Sequence, residues 1–189
     1  MTCRHLALVV LLLLPLMAVP ATAKAGALSE AIDSIDANVL FLRHALAPGF
    51  GDPAEFHIDD CATQRNLDEA GRRQARGLGA YLRGDGIRFD AILSSRWCRC
   101  GVAAIEIDSG AVSTLDGLNA FLDGHVDREA TLALLAERLA NLPEDGLVLM
   151  VTHQVVISAV TGIPPQSGGF VAYNSHTGAA RRAGTPVRP

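Results

Sequence analysis

The feature of this chain that most constrains its fold is a series of three apolar segments, each the length of a buried strand and each ending in polar residues. They are "NVLFL" from Asn38, "FDAILSS" up to Ser95 and "GLVLMVTH" up to His153. Stretches with the periodicity of helices separate them. Strands that alternate with helices are typical of a mainly parallel sheet covered on both faces. The sequence therefore predicts a three-layer α/β/α fold with a mainly parallel central sheet.

The helical stretches support this architecture. The clearest runs from Glu129 to Leu142 and ends before Pro143, and a longer one runs from Leu67 to Arg83. In both, apolar or small residues recur three or four positions apart, which is the spacing of one helix face. Shorter helices are predicted over "RCGVAAIEI" and "QVVISAVTG". After them, "GGFVAYN" is predicted as a last strand, and the Arg-, Pro- and Gly-rich tail is predicted to lack regular structure.

Candidate functional residues follow from where the strands end. In parallel sheets, ligands bind at the carboxyl ends of the strands. Arg43 and His44 follow the first strand, whereas Arg99 lies beyond the second and His153 ends the third. The polar loop at residues 47–63 is of a length that usually serves function. We therefore expect these side chains at one edge of the sheet, with the loop determining specificity.

Two arginines and two histidines at one edge favour a particular chemistry. Arginine side chains bind the oxygens of a phosphoryl group in pairs and neutralise the charge that develops during transfer. A neutral imidazole can attack phosphorus and carry the phosphoryl group until water removes it. Neighbouring arginines also disfavour protonation of that imidazole. The pattern indicates phosphoryl transfer through a histidine.

The same segments resemble the histidine phosphatase superfamily, which is also called phosphoglycerate mutase-like and is known for an Arg-His-Gly signature. The matching motifs occur in the family's order: "FLRHA", "RNLDEAGRRQA", "SSRWCRCGVAA" and "VTHQVVISAVTG". The resemblance implies a phosphoglycerate mutase-like fold and a metal-independent phosphatase that needs no cofactor. It further implies that a phosphomonoester is hydrolysed through a phosphohistidine intermediate.

The resemblance also implies a role for individual residues. His44 corresponds to the phosphorylated nucleophile, and His153 corresponds to the second catalytic histidine. Arg43 and Arg99 correspond to the arginines that bind the phosphoryl group. Arg65, in "TQRNL", either lines the phosphate pocket as a further substrate-binding residue or only steadies the loop.

Three departures from the family pattern concern the chemistry. Ala45 stands where the signature has glycine, Gln154 where some members have an aspartate, and Ala120 where others have an acid in the middle loop. A poor leaving group needs a proton from an acid. The identity of that acid is open, with Asp116 and Asp123 as neighbouring candidates. The alternative hypothesis is a phosphate-ligand binding module of the same fold with little or no turnover.

The first 25 residues predict export. The basic start "MTCRH", the apolar run "LALVVLLLLPLMAV" and the small residues of "PATAKA" are typical of a signal peptide. The run is short for a helix that crosses a bilayer. We expect residues 26–189 to form one histidine phosphatase-like domain that is periplasmic or secreted, without stable membrane association after cleavage.

Charge and composition limit the classes of partner that this chain is expected to bind. The formal net charge of -4 leaves no basic footprint for nucleic acid. The expected partner is a small phosphorylated molecule, such as a sugar phosphate, an envelope phosphate or a scavenged organic phosphate.

The cysteines leave two questions. In an oxidising compartment, one pair among Cys61, Cys98 and Cys100 can form a disulfide, and the sequence does not select the pair. A zinc site made from two histidines and "CRC" is a competing hypothesis. On a helix, however, those two cysteines point away from the direction in which Arg99 reaches, so we predict no metal.

Overall fold

The computed structural model describes residues 26–189, so the predicted signal peptide lies outside the described residues. The strands are β1 (Val39–Arg43), β2 (Ala91–Ser94), β3 (Val112–Thr114), β4 (Val148–Thr152), β5 (Phe170–Tyr173) and β6 (Ala180–Gly184). The helices are α1 (Ala27–Asp33), α2 (Glu69–Gly84), α3 (Cys98–Ile107), α4 (Arg128–Ala140) and α5 (Gln154–Thr161). Within residues 26–189, no helix is both long and apolar enough to cross a membrane.

One sheet contains the six strands of this region, in the order β3-β2-β4-β1-β5-β6. Strands β3, β2, β4 and β1 run parallel to one another, whereas β5 pairs antiparallel with β1 and β6 pairs antiparallel with β5. The sheet is therefore mainly parallel, as predicted. The three apolar segments that end in polar residues are β1, β2 and β4, so their carboxyl ends meet at one edge.

Helices cover both faces of the sheet. Leu40 and Leu42 of β1 pack in one core cluster with residues of α1, α2 and α3. Val39 and Phe41, which alternate with them, pack in a second cluster with residues of α4 and α5. All four side chains are fully buried, and burial of such a side chain stabilises a fold by about 1.5–3 kcal/mol. The predicted three-layer α/β/α architecture is confirmed.

Helix α2 fixes the segment that follows β1. It begins after Asp68, whose carboxylate accepts a hydrogen bond from the N–H of Gly71 at 2.8 Å. A side chain on Gly71 would collide with the carbonyl oxygen of Leu46, so glycine permits a close approach here. One turn later, the Gln74 side chain accepts a hydrogen bond from the N–H of Leu46 at 2.9 Å. The chain leaving β1 is thereby held against α2.

The prediction that the tail lacks regular structure is wrong. Strand β6 forms there and pairs with β5 through a tight turn that begins at Asn174. In this turn Gly178 has a φ of 74°, a conformation that glycine adopts readily. Backbone pairing with β5, rather than an apolar side-chain pattern, makes this strand. Arg181 and Arg182 are exposed on it, as charged residues often are on edge strands.

Candidate active site

A cavity of about 280 Å³ lies at the carboxyl ends of β1 and β4. Its buried lining, called the floor, consists of His44, Ala47, Arg99, Ala120 and His153. Its exposed lining, called the rim, includes Pro48, Phe50, Leu122, Asp123 and Gln154. Arg43 and Arg65 are half-buried and line the same cavity. The fold thus brings together all five residues that the sequence placed at the site.

The His44 ring is buried, and the position of its hydrogen follows from its surroundings. Nδ1 lies 2.7 Å from the carbonyl oxygen of Ala45. Because a carbonyl oxygen only accepts hydrogen bonds, Nδ1 carries the hydrogen and Nε2 keeps a lone pair. Burial, with a smaller contribution from the charge of Arg99, lowers the pKa of His44 to about 3. The imidazole is therefore neutral near neutral pH, with a nucleophilic Nε2.

His153 lies beside His44, with ring centroids 5.4 Å apart. Its Nε2 is 3.1 Å from Ser95 Oγ and 3.4 Å from Cys100 Sγ. The Ser95 hydroxyl lies 3.0 Å from the acceptor Oδ1 of Asn119. Burial, and then the proximity of His44, keeps the pKa of His153 well below its ordinary value. Buried partners therefore hold Nε2, which leaves Nδ1 for a ligand.

Two guanidinium groups line the cavity with unused donors. Nη1 of Arg43 donates to Gln154 Oε1 at 2.8 Å and to the carbonyl oxygen of Pro165 at 3.2 Å. Arg99 uses Nη1 and Nη2 to bind a carboxylate. Within the part of the chain that the structure describes, Nε of both arginines is buried without a hydrogen-bond partner. Because buried N–H groups are nearly always paired in native proteins, two such groups at one cavity indicate an anionic ligand.

The carboxylate bound by Arg99 belongs to Asp52, a loop residue for which the sequence gives no motif. The side chains of Arg99 and Asp52 are 3% and 1% exposed and approach to 2.8 Å. Asp52 also accepts hydrogen bonds from Trp97 Nε1 at 2.9 Å and from the N–H of Arg65 at 3.0 Å. Burial opposes its charge, but the hydrogen bonds from Arg99 and Trp97 hold the pKa of Asp52 below its ordinary value. Asp52 therefore fixes the guanidinium of Arg99, whose Nε has no hydrogen-bond partner among the described residues.

Arg65 has both of the roles that the sequence left open. Its Nε donates to the carbonyl oxygen of Gly51 at 2.8 Å, and its Nη1 donates to that of Ala47 at 2.5 Å. It therefore steadies the loop, and it also lines the cavity. By contrast Arg96, the other arginine of "SSRWCRC", forms an ion pair with Asp59 and does not line the cavity.

The structure separates the two candidate proton donors. Asp123 lies on the rim of the cavity. Asp116 does not line it, and instead accepts a hydrogen bond from Asn119 Nδ2 at 3.3 Å and lies 4.0 Å from Arg96 Nη1. Ala120 lies on the floor, so the position that holds an acid in related patterns is here apolar. Only Asp123 of these two aspartates is placed to meet a leaving group.

The cysteines pair in one of the ways that the sequence left open. Cys61 and Cys98 form a disulfide, with Cα atoms 5.7 Å apart. Cys100 is a buried thiol, and burial raises its pKa to about 12. The bridge removes Cys98 from the zinc hypothesis. Among residues 26–189, no three His, Cys, Asp or Glu side chains are grouped so that they could hold a metal ion.

No protein-family model and no curated protein matches the sequence, but solved structures share its fold. The alpha-ribazole phosphatase from Shigella flexneri is 17% identical, with a TM-score of 0.51 over 80% of this chain and 99% of that one. A mycobacterial glucosyl-3-phosphoglycerate phosphatase is 17% identical, with a TM-score of 0.52 over 79% and 98%. The protein histidine phosphatase SixA, solved with tungstate, is 18% identical, with a TM-score of 0.50 over 76% and 92%. These similarities confirm the phosphoglycerate mutase-like fold that the sequence predicts.

Proposed function

We propose that this chain, which has the fold of the histidine phosphatases, is a metal-independent phosphatase that hydrolyses a phosphomonoester through a phosphohistidine. One observation carries the proposal. His44 presents a neutral Nε2 at a buried floor, and two arginines at the same cavity have buried Nε–H groups without partners. A phosphoryl group supplies the oxygens that those donors lack and the phosphorus that a neutral imidazole attacks.

In the first step, the phosphoryl oxygens accept hydrogen bonds from the Nε edges of Arg43 and Arg99. The Nε2 lone pair of His44 attacks phosphorus as the bond to the leaving oxygen breaks, and that bond's electrons stay on the leaving oxygen. The imidazole becomes positively charged, and its Nδ1–H remains hydrogen-bonded to the carbonyl oxygen of Ala45. That bond stabilises the charged ring as it forms.

In the second step, water attacks the phosphorus bound to His44. The N–P bond breaks, its electrons return to Nε2, and inorganic phosphate leaves together with the proton of the water. His153 supports the second step. The Ser95 hydroxyl donates its hydrogen to Asn119 Oδ1, so Ser95 Oγ accepts the hydrogen of His153 Nε2. Nδ1 therefore keeps a lone pair, which accepts a hydrogen bond from the attacking water.

Asp123 is the acid that we assign to the leaving group in the first step. It is the one carboxylate among the residues that line the cavity. An acid speeds departure in proportion to the basicity of the leaving oxygen. Asp123→Asn should therefore slow hydrolysis of an alkyl phosphate by about a hundredfold, and that of an activated aryl phosphate by much less. Equal slowing of both substrates would contradict this assignment.

The test of the proposed function is hydrolysis of p-nitrophenyl phosphate in the presence of EDTA by wild type and by His44→Ala. Activity in wild type that the variant lacks, with both proteins folded by circular dichroism, is the expected result. Absence of turnover in wild type, with inorganic phosphate still raising its Tm, would instead indicate the phosphate-ligand binding module. Hydrolysis that survives His44→Ala would refute the histidine route.

We also propose export of the mature protein to the periplasm or beyond. The disulfide between Cys61 and Cys98 supports this proposal, because disulfides persist mainly in oxidising compartments. Amino-terminal sequencing of the protein recovered from a periplasmic or culture fraction should begin near Lys24 or Gly26. A full-length chain retained with the cytosol would contradict it.

A further inference from the structure

The rim of the active-site cavity is more apolar than its floor. Among the described residues, four large hydrophobic side chains are exposed, and two of them, Phe50 and Leu122, lie on this rim. Phe50 is fully exposed and Leu122 is 69% exposed. Single exposed apolar side chains are ordinary on protein surfaces. Two on separate loops at the mouth of one cavity indicate a surface that an apolar group of a ligand can contact.

The backbone around Phe50 holds this side chain outward. Gly49 and Gly51 flank it with φ of 89° and 62°, in the region that residues with side chains rarely adopt. The carbonyl oxygen of Gly51 also accepts the hydrogen bond from Arg65 Nε. The turn is therefore built by its own glycines and tied to the cavity by an arginine, so Phe50 is held at the rim.

The direction of the reaction decides which part of a substrate meets the rim. In phosphoryl transfer, the attacking and leaving atoms lie roughly in line on opposite sides of phosphorus. The attacking Nε2 of His44 is at the buried floor, so the leaving group extends toward the opening. This step rests on the proposed function. The leaving group of any substrate accordingly passes Phe50, Leu122 and Asp123.

The charges around the cavity limit what that leaving group can carry. Arg43 and Arg99 offer their unpaired edges to the phosphoryl group, and two nitrogens of Arg65 are already bound to loop carbonyls. The ionisable residue on the rim is Asp123, which donates its proton to the leaving oxygen in the proposed function. A second phosphate or a carboxylate on the substrate would find no cation among the exposed rim residues, and its negative charge would oppose the loss of that proton.

The geometry points to a substrate class: phosphomonoesters whose leaving group is uncharged and apolar, so that it can contact Phe50 and Leu122 at the rim. The size of the cavity agrees, because about 280 Å³ lies just below the range for ligand pockets, about 300–1,000 Å³. The cavity admits a phosphoryl group and a small ring. Any larger apolar portion rests on the rim.

Three aryl phosphates with phenols of similar acidity test this inference: phenyl phosphate, 2-naphthyl phosphate and 4-carboxyphenyl phosphate. For wild type we expect kcat/KM about tenfold higher for the naphthyl than for the phenyl compound, because a second ring buries more apolar surface. For the carboxyphenyl compound we expect kcat/KM about tenfold lower than for the phenyl compound. Similar values for all three would overturn the inference.

Substitutions at the rim test which residues cause the preference for the naphthyl compound. Phe50→Ser and Leu122→Ser should each reduce the naphthyl-to-phenyl ratio to about twofold or threefold, and the double variant should abolish it. Ile105→Ser is the matched control, because Ile105 is 67% exposed but lies on α3 and does not line the cavity. That control should keep the wild-type ratio. A preference that persists in the folded double variant would overturn the inference.

Binding measurements keep this test separate from that of the proposed function. Calorimetric dissociation constants for the same compounds, measured on His44→Asn, should follow the same ranking, with the naphthyl compound bound most tightly. That ranking supports the inference even if wild type shows no turnover, which would count only against the proposed function. Turnover that depends on His44 but is indifferent to the three leaving groups would count only against the inference.

Discussion

The floor and the rim of the cavity are built in different ways. The two histidines of the floor follow strands whose positions backbone hydrogen bonds fix: the N–H of His44 donates to the carbonyl oxygen of Thr152 at 2.9 Å, and that of Ser95 to Val151 at 3.0 Å. The rim comes mainly from loops at residues 47–63 and 119–127, whose side chains are largely exposed. A rigid sheet edge thus carries the proposed chemistry, and the loops present the groups that select the substrate.

The base of the loop at residues 47–63 is an exception to this contrast between floor and rim. Asp52 reaches the floor and binds Arg99, and the Cys61–Cys98 disulfide joins the loop to the start of α3. The Gln64 side chain also accepts a hydrogen bond from the N–H of Cys98 at 2.9 Å. The loop therefore carries exposed residues such as Phe50 at its tip, while its base is fastened to Arg99 and to the start of α3.

The largest loss of stability is expected from removing the ion pair between Asp52 in the loop and Arg99 on the floor. Asp52→Ala leaves a buried guanidinium without its partner, which should destabilise the protein by about 3–5 kcal/mol in urea unfolding. Asp59→Ala is the matched control, since it removes the partly exposed pair with Arg96 and should cost less than about 1 kcal/mol. Equal effects of the two variants would show that Asp52 does not anchor the loop.

A smaller effect is expected from opening the disulfide. The bridge closes a loop of 37 residues, so the double variant Cys61→Ser/Cys98→Ser should lose up to about 4 kcal/mol of stability. The contacts of Asp52 and Gln64 still hold the loop, so kcat/KM at a temperature where the variant is folded should change less than threefold. Loss of activity from a folded variant would mean that the bridge itself positions the floor.

The buried histidines predict how stability depends on pH. The pKa of His44 is about 3 in the folded protein and about 6.5 in an unfolded chain, and that of His153 is lowered too. Their contribution to the free energy of unfolding is therefore complete above about pH 6.5, and it is lost as pH falls from there toward about 3. His44→Asn should reduce the slope of unfolding free energy by up to about 1.4 kcal/mol per pH unit in this window.

The control for this pH measurement is His57→Asn, at an exposed position outside the cavity. Urea unfolding at several pH values between about 4 and about 7 gives the slope for each protein. A slope unchanged in His44→Asn would contradict the burial of a neutral imidazole on the floor.

The smallest effect concerns the group that holds the second histidine. Ser95 Oγ lies 3.1 Å from Nε2 of His153. Because one hydrogen bond contributes about 0.5–1.5 kcal/mol, Ser95→Ala should lower kcat by up to about tenfold and leave KM nearly unchanged. Ser95→Thr, which keeps the hydroxyl, should restore part of the loss. If both variants reduce kcat equally, Ser95 serves packing alone and does not position His153.

Local sequence patterns predicted where the histidines of the floor lie. Contacts between residues that are distant in the chain could not be predicted in this way. Neighbouring residues alone show the periodicity of β1, β2, β4 and the helices between them. Arg43, His44 and His153 could therefore be placed at one edge of the sheet. The partnership of Asp52 with Arg99 joins residues far apart in the chain, and neither motif nor spacing indicates it.

The disulfide and the tail show the same limit. Three cysteines allow several pairs, and only the approach of the loop to α3 selects Cys61 and Cys98. Strand β6 has no apolar alternation because it pairs at the sheet edge through its backbone. The choice of Asp123 over Asp116 at the rim likewise depends on how a loop folds, which composition does not reveal.

The central claim, that His44 carries the phosphoryl group, is tested most directly by trapping the intermediate. Wild type mixed with a radiolabelled aryl phosphate, quenched within one turnover and digested, should yield one labelled peptide containing His44, with a label that is lost in acid and stable in base. His44→Asn should yield none, while His57→Asn should label as wild type does. Turnover without a labelled His44 peptide, or a label on another residue, would contradict the account.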